Sequence, residues 1–370
     1  MTPVSLRRPL PEGERCNTFA VPVVVNVNGH NEHVEWQAQG PLVPWRISGS
    51  ESLWVPIDGA QQLFDRFVVE GPQPGVITDT NEETGHLVVI SGERQVGKTT
   101  LLHKCVHSLA LRLHATITGE EEGDRPAPPR WSVLKAGVSP HVRVVELAGA
   151  KNVNRAIAWA HGQPAGVDVV NQRILQAILK ALDEPLIKEA GEQLRSTDVY
   201  EAYGALSDAL VRLDWTLLIV VPDFKWLDES VTRSFYRSCS ENARTGIVFF
   251  VESSSSATAD DLYAEFLDLR DSHVTHLNVG PLTTENWRHF IHARHAAQDI
   301  PGTRLTVAAD VLSGTPEQWM RQNIGTLQSS LHEIAQEAHG ERETEIVKDR
   351  VRQFTRGRSG PDPQDFRRSP

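Results

Sequence analysis

A chain of 370 residues, 39% hydrophobic and 23% charged, is long enough to bury a substantial core without disulfides or metals, which excludes the disordered, fibrous and miniprotein classes. The balance of 37 Lys and Arg against 48 Asp and Glu, a net charge of -11, excludes a body coated for nucleic acid and leaves room only for a local basic patch. Cys16, Cys105 and Cys239 lie far apart with no CxxC pair, the charged N-terminus has no apolar run behind it, and the longest aliphatic run is 217–221; these features predict a cytoplasmic protein with neither a disulfide framework nor a membrane span.

Residues 1–50 carry two strand-like runs, FAVPVVVNVNG and HNEHVEWQAQ, that meet at Asn28-Gly29 and predict a small N-terminal β element. His30, Glu32 and His33 are metal-ligand types, but beside a hairpin turn they read as solvent-facing residues. From about residue 51 the pattern changes to short apolar strands at 86–90 (HLVVI), 142–147 (VRVVEL), 216–221 (TLLIVV), 246–251 (GIVFFV) and 274–279 (VTHLNV). Helical stretches at 57–69, 99–113, 167–182, 199–213 and 230–242 alternate with them. This order predicts an α/β fold, a mainly parallel sheet flanked by helices with right-handed crossovers, spanning 51–279.

A charged helix ending in a flexible basic tail is expected over 341–370. The acidic, Pro- and Gly-bearing stretch 115–141 reads as a long surface loop. Trp36, Trp45 and Trp54 read as core or interdomain packing. Over residues 350–370, Arg350, Arg352, Arg356, Arg358, Arg367 and Arg368 outnumber Asp362 and Asp365 for a net +4, the segment through which DNA or an acidic partner would be met.

The chemistry is carried by Gly92-Glu93-Arg94-Gln95-Val96-Gly97-Lys98-Thr99, a full match to GxxxxGK[ST] set between a strand and an amphipathic helix that continues through Thr100. The glycines permit a tight loop whose N–H groups converge on a phosphate at a helix N-terminus. Lys98 is then expected on the β/γ-phosphates of ATP, with the Thr99 hydroxyl on Mg²⁺. The second metal carboxylate is expected at the end of an apolar strand, and LLIVVPD supplies Asp223, with Pro222 ending that strand.

These segments resemble the P-loop ATPases of the AAA+ and STAND group, of origin-recognition-like type. In that group an extra strand separates the P-loop strand from the Asp strand. The resemblance rests on GERQVGKT at 92–99, LLIVVPD at 217–223 and IVFFVESS at 247–254, with VGPLTTENWRHFIHARH at 279–295 similar to the opening of the helical lid. It implies a C-terminal helical lid over 280–340, a sensor role for Ser253 or Ser254 and an ATPase reaction. Phe224 stands where active members carry the glutamate that polarises the attacking water, so another carboxylate is required. Glu146 ranks first, on the expectation that its strand neighbours the P-loop strand, followed by Asp228, Glu229 and Glu252. Gly325-Thr326-Leu327 stand where the lid's second-sensor arginine is expected. Arg270 is placed as an arginine supplied to a neighbouring subunit, and Arg294 as a phosphate or interdomain contact.

Three functions follow as expectations. The first is an ATP- and Mg²⁺-dependent switch, oligomeric or partner-binding, that hydrolyses ATP slowly. The second is a DNA-associated ATPase that loads or regulates partner proteins, and the third is a hydrolysis-dead nucleotide-binding scaffold.

Overall fold

Successive residues of the apolar runs alternate between two buried faces. Leu87, Val89, Leu217, Ile219, Val221, Phe249 and Val251 belong to one core cluster; Val88, Ile90, Leu218, Val220, Val248 and Phe250 belong to another. A strand covered on both sides reads as an unbroken hydrophobic run, with its period of two concealed.

The computed structural model describes residues 4–5, 19–27, 31–38, 40–44, 47–48, 53–57, 59–79, 84–119, 141–147, 153, 166–182, 184–191, 194, 198–224, 229–254, 273–280, 286–296, 306–313, 323–340 and 345–358. In chain order its elements are β1 (Val4–Ser5), β2 (Val21–Val27), β3 (Asn31–Gln37), β4 (Ile47–Ser48), α1 (Ala60–Glu70), α2 (Pro74–Ile77), β5 (His86–Gly92), α3 (Lys98–Thr118) and β6 (Val142–Glu146). There follow α4 (Gly166–Ala181), α5 (Glu184–Ala190), α6 (Val199–Arg212), β7 (Thr216–Val221), α7 (Glu229–Asn242), β8 (Ile247–Ser253) and β9 (Val274–Val279). The last are α8 (Asn286–Ala296), β10 (Thr306–Val307), α9 (Ala309–Ser313), α10 (Ile324–Gly340), β11 (Glu345–Ile346) and α11 (Lys348–Arg358).

The central sheet has the order β6-β7-β8-β5-β9, with every neighbouring pair parallel. This is a P-loop NTPase fold. β8 is inserted between β5, which leads into the P-loop, and β7, which leads to Asp223, as the resemblance implied. From β5 the chain crosses to the far edge and then returns one strand at a time through β6, β7 and β8. Glu146, at the end of β6, is therefore separated from β5 by two strands, which corrects the expectation that its strand neighbours the P-loop strand. Helices α1 and α3 cover one face of the sheet, and α4, α6 and α7 cover the other.

α3 continues to Thr118 and stops at Gly119, which takes the left-handed conformation (φ 70) that ends many helices. Residues 115–118 of the expected loop are thus helical, and 120–140 lie outside the described residues. A third core unites the C-terminal helices: Trp287, Phe290 and Ile291 of α8 pack with Leu327, Leu331 and Ile334 of α10. α11 joins this core through buried Val351 and partly buried Phe354, so the expected charged helix has an apolar face. Phe19 and Ile57 are members of the same core, which joins the segment before α1 to these helices. β2 and β3 form an antiparallel pair in which Val27 faces Asn31, as the Asn28-Gly29 turn predicted. Among the described residues no helix is long and apolar enough to cross a membrane.

Candidate functional site

β5 delivers the P-loop at the carboxyl edge of the sheet. Gly92 (φ 145), Gln95 (φ 63) and Gly97 (φ 94) all adopt positive φ, which turns the loop sharply enough to start α3 at Lys98. A Cβ on Gly92 would lie 2.4 Å from the Val279 carbonyl oxygen, so the first glycine of the motif is required by close approach of backbone. No side chain caps the N-terminus of α3, and its first N–H groups remain directed at the loop, the arrangement that binds a phosphate.

Four functional side chains converge there. Lys98, 3% exposed, donates from Nζ to the carbonyls of Gly92 and Glu93 at 2.9 and 2.5 Å. It lies 4.0 Å from Glu252 Oε1. Thr99 Oγ1 donates to Glu252 Oε2 at 2.8 Å. Asp223 Oδ1 accepts the backbone N–H of Ser254 at 3.2 Å, and its charge is felt by both Lys98 and Glu252. Burial lowers the Lys98 pKa, opposed by Glu252 and Asp223. Burial likewise raises that of Glu252, opposed by the Thr99 hydrogen bond and Lys98 and reinforced by Asp223. A hydroxyl and two carboxylates beside a lysine form a hard-oxygen donor set, which fits Mg²⁺ completed by phosphate oxygens.

The pleat explains the role of Glu252. On β8, Val248 and Phe250 face the α3 side and Phe249 and Val251 the opposite side, so alternation sends Glu252 toward α3 and Ser253 away. Ser253, 1% exposed, makes a side-chain hydrogen bond with Tyr236 of α7. Glu146 also faces α3 but meets His103, with Oε1 3.6 Å from Nε2. Phe224 is a core residue, with its ring 5.8 Å from that of Phe235. Arg294, 1% exposed, donates to the carbonyls of Leu53 at 3.2 Å and of Ala20, which ties α8 to the segment before α1. Arg270, Asp228 and His30 lie outside the described residues, as do the side chains of Glu229, Glu32 and His33. Among the described residues no group of three or more His, Cys, Asp or Glu side chains could hold a metal ion.

A cleft of about 310 Å³ is lined by Gln95 to Leu101 of the P-loop and α3, by Glu252, by Leu42, Leu53, Trp54, Val55 and Ile57, and by Phe290, Arg294 and Gln328. The N-terminal segment and the C-terminal helices therefore both contribute walls, a role that pattern reading of either segment alone does not show. α10 begins on the P-loop itself: the Gly325 N–H donates to the Gln95 carbonyl at 3.0 Å, and Thr326 Oγ1 donates to Gln95 Oε1 at 3.3 Å. Gly325 and Thr326 stand where the second-sensor arginine was missed, and they touch the P-loop through backbone and hydroxyl instead.

Behind the cleft, Lys104 Nζ sits 3.0 Å from the Trp54 ring centroid and 4.2 Å from that of Phe64. Burial lowers the Lys104 pKa from 10.5 to about 8, with Cys105 and Asp65 opposing, while the two π faces recover part of the lost hydration. Between these values the unfolded chain binds more protons than the folded one, so stability rises with pH across that window. Lys104→Met is expected to flatten this rise, which the difference in urea midpoint between about pH 7.5 and 10 would report. An undiminished rise in the variant would refute the assignment.

No protein-family model matches the chain, and no curated protein matches it. Solved structures similar to it include Cdc6p from Pyrobaculum aerophilum, at 13% identity over 86% of this chain and 74% of that chain, with a TM-score of 0.49. The ORC2 protein of Aeropyrum pernix, in ADPNP–ADP complexes, matches at 13% identity over 84% of this chain and 69% of that one, TM-score 0.43. The ORC1 protein of Aeropyrum pernix in complex with DNA matches at 16% identity over 82% and 66%, TM-score 0.46.

Proposed function

We propose that the chain binds Mg·ATP and works as a nucleotide-dependent switch, in which closure of the lid on the P-loop alters assembly or partner binding and slow hydrolysis resets the cycle. The observation that carries this reading is the docking of the α10 N-terminus on Gln95, in the middle of the phosphate loop. Any change that phosphate binding imposes on the loop backbone is transmitted to the lid through that contact. Lys98 and the α3 N–H groups hold the phosphates, Thr99 with a neighbouring carboxylate holds the cation, and the apolar residues of the cleft take the base. Bound Mg²⁺ neutralises charge on the β- and γ-phosphates.

Calorimetry with Mg·ATP, together with light scattering without nucleotide, with ADP and with a slow ATP analogue, tests the proposal. Saturable binding is expected, along with a size or shape that differs between the ADP and analogue states. Absence of binding would end this reading. Binding with identical ADP and analogue states would leave the scaffold reading, which the burial of Phe224 in the core favours.

A further inference from the structure

Two carboxylates stand near the P-loop, and the strand order determines which of them meets the hydroxyl on the metal side. We infer that Glu252, rather than Asp223, is the carboxylate that acts with Thr99 to hold Mg²⁺, and that Asp223 is left to orient the attacking water. This rests on the nucleotide reading above and assigns roles within it.

Three observations carry the assignment. β8 lies directly beside β5, with Glu252 in register with Ile90, so Glu252 is one strand closer to the P-loop than Asp223. The pleat turns Glu252 to the α3 face, where it takes the Thr99 proton in a 2.8 Å hydrogen bond. A hydroxyl that gives its proton to a carboxylate keeps its lone pairs for a cation. Asp223, after β7, is instead bonded to the Ser254 backbone N–H. Mg²⁺ is held by one or two carboxylates with phosphate oxygens and waters. A carboxylate hydrogen-bonded to the ligating hydroxyl belongs to that shell, directly or through a metal-bound water.

The experiment measures ATP affinity by calorimetry in EDTA and across a Mg²⁺ titration, alongside turnover, for the wild type, Glu252→Gln and Asp223→Asn. Gln is isosteric and still accepts from Thr99, so the change tests charge rather than packing. Glu252→Gln is expected to keep its EDTA affinity while needing about 10- to 100-fold more Mg²⁺ for half of the metal-dependent gain. Asp223→Asn is expected to keep the wild-type Mg²⁺ curve and lose turnover. Should Glu252→Gln lose its EDTA affinity through misfolding, Glu252→Asp decides, with the charge kept and a Mg²⁺ curve displaced toward higher concentration. An undisplaced curve in that variant overturns the assignment.

The assignment is also overturned if Asp223→Asn moves the Mg²⁺ curve as much as or more than Glu252→Gln. It fails equally if Glu252→Gln loses turnover with an unmoved Mg²⁺ curve, which would make Glu252 the water's base. A wild-type protein that binds ATP under neither condition would remove the nucleotide reading itself, and the assignment with it.

Discussion

Replacing Lys98 with alanine lowers the affinity for Mg·ATP by about 30- to 4,000-fold, the equivalent of the roughly 2–5 kcal/mol that truncating one partner of a buried charge pair costs. The side chain is almost wholly buried and faces both the loop carbonyls and Glu252, so no bulk water replaces it cheaply. The same change leaves Glu252 in a buried position without the lysine that helps to hold its carboxyl down. Lys98→Ala is therefore expected to lower thermal stability, and Lys98→Ala combined with Glu252→Gln to restore part of it.

The pH dependence has a definite sign. A carboxyl whose folded pKa lies above its unfolded value of 4.5 destabilises the fold increasingly as pH rises above that value. The penalty in Lys98→Ala should accordingly shrink toward acid and grow as pH rises above that value. Calorimetric affinity and melting curves over pH check both parts. Wild-type ATP affinity in Lys98→Ala would refute the phosphate role.

Gly325→Val is expected to lift the lid from the P-loop and abolish the difference between ADP and ATP-analogue states, with a smaller loss of ATP affinity than Lys98→Ala shows. A Cβ at Gly325 would already stand 2.8 Å from Gln95 Cβ and 3.1 Å from its Cγ, and valine adds two methyls to that contact. Gln95 cannot retreat freely, because its positive φ (63) already places a non-glycine residue in a sparsely occupied conformation. Overpacking of this kind costs about 1–3 kcal/mol, which the helix relieves by separating from the loop. Small-angle scattering with each nucleotide reads the outcome. Retention of the wild-type nucleotide-dependent change in Gly325→Val would show that Gln95 is not the point of transmission.

The strand at 216–221 and the P-loop were legible because a nearly unbroken aliphatic run and the glycine spacing are local properties. The partner of Thr99 was not. IVFFVES is apolar at every position before Glu252, so the two faces of β8 cannot be told apart until the packing of α3 and α7 distinguishes them. The rank given to Glu146 turned on strand order, which sequence spacing does not encode, and the chain's crossing to the far edge placed Glu146 beside His103 instead. Arg294 was named as a contact, but its partners Ala20 and Leu53 are 274 and 241 residues away in sequence. The helical character of 115–118 was masked by the acidic stretch that follows, although Gly119 was a readable stop signal.

The core that unites the C-terminal helices has a further consequence for how the molecule is made. It contains Phe19 and Ile57 from before the sheet and Ile346 and Val351 from after it, so it cannot close until the whole intervening chain has been synthesised. The sheet with α1 and α3 on one face draws that core from residues 67–279, so it needs a shorter stretch of chain. Because Phe290 and Gln328 after the sheet and Leu53 and Trp54 before it wall the same cleft, that cleft is complete only once the chain through Gln328 has been made. A chain made only as far as the sheet therefore carries the P-loop sequence without the compartment that would hold a nucleotide.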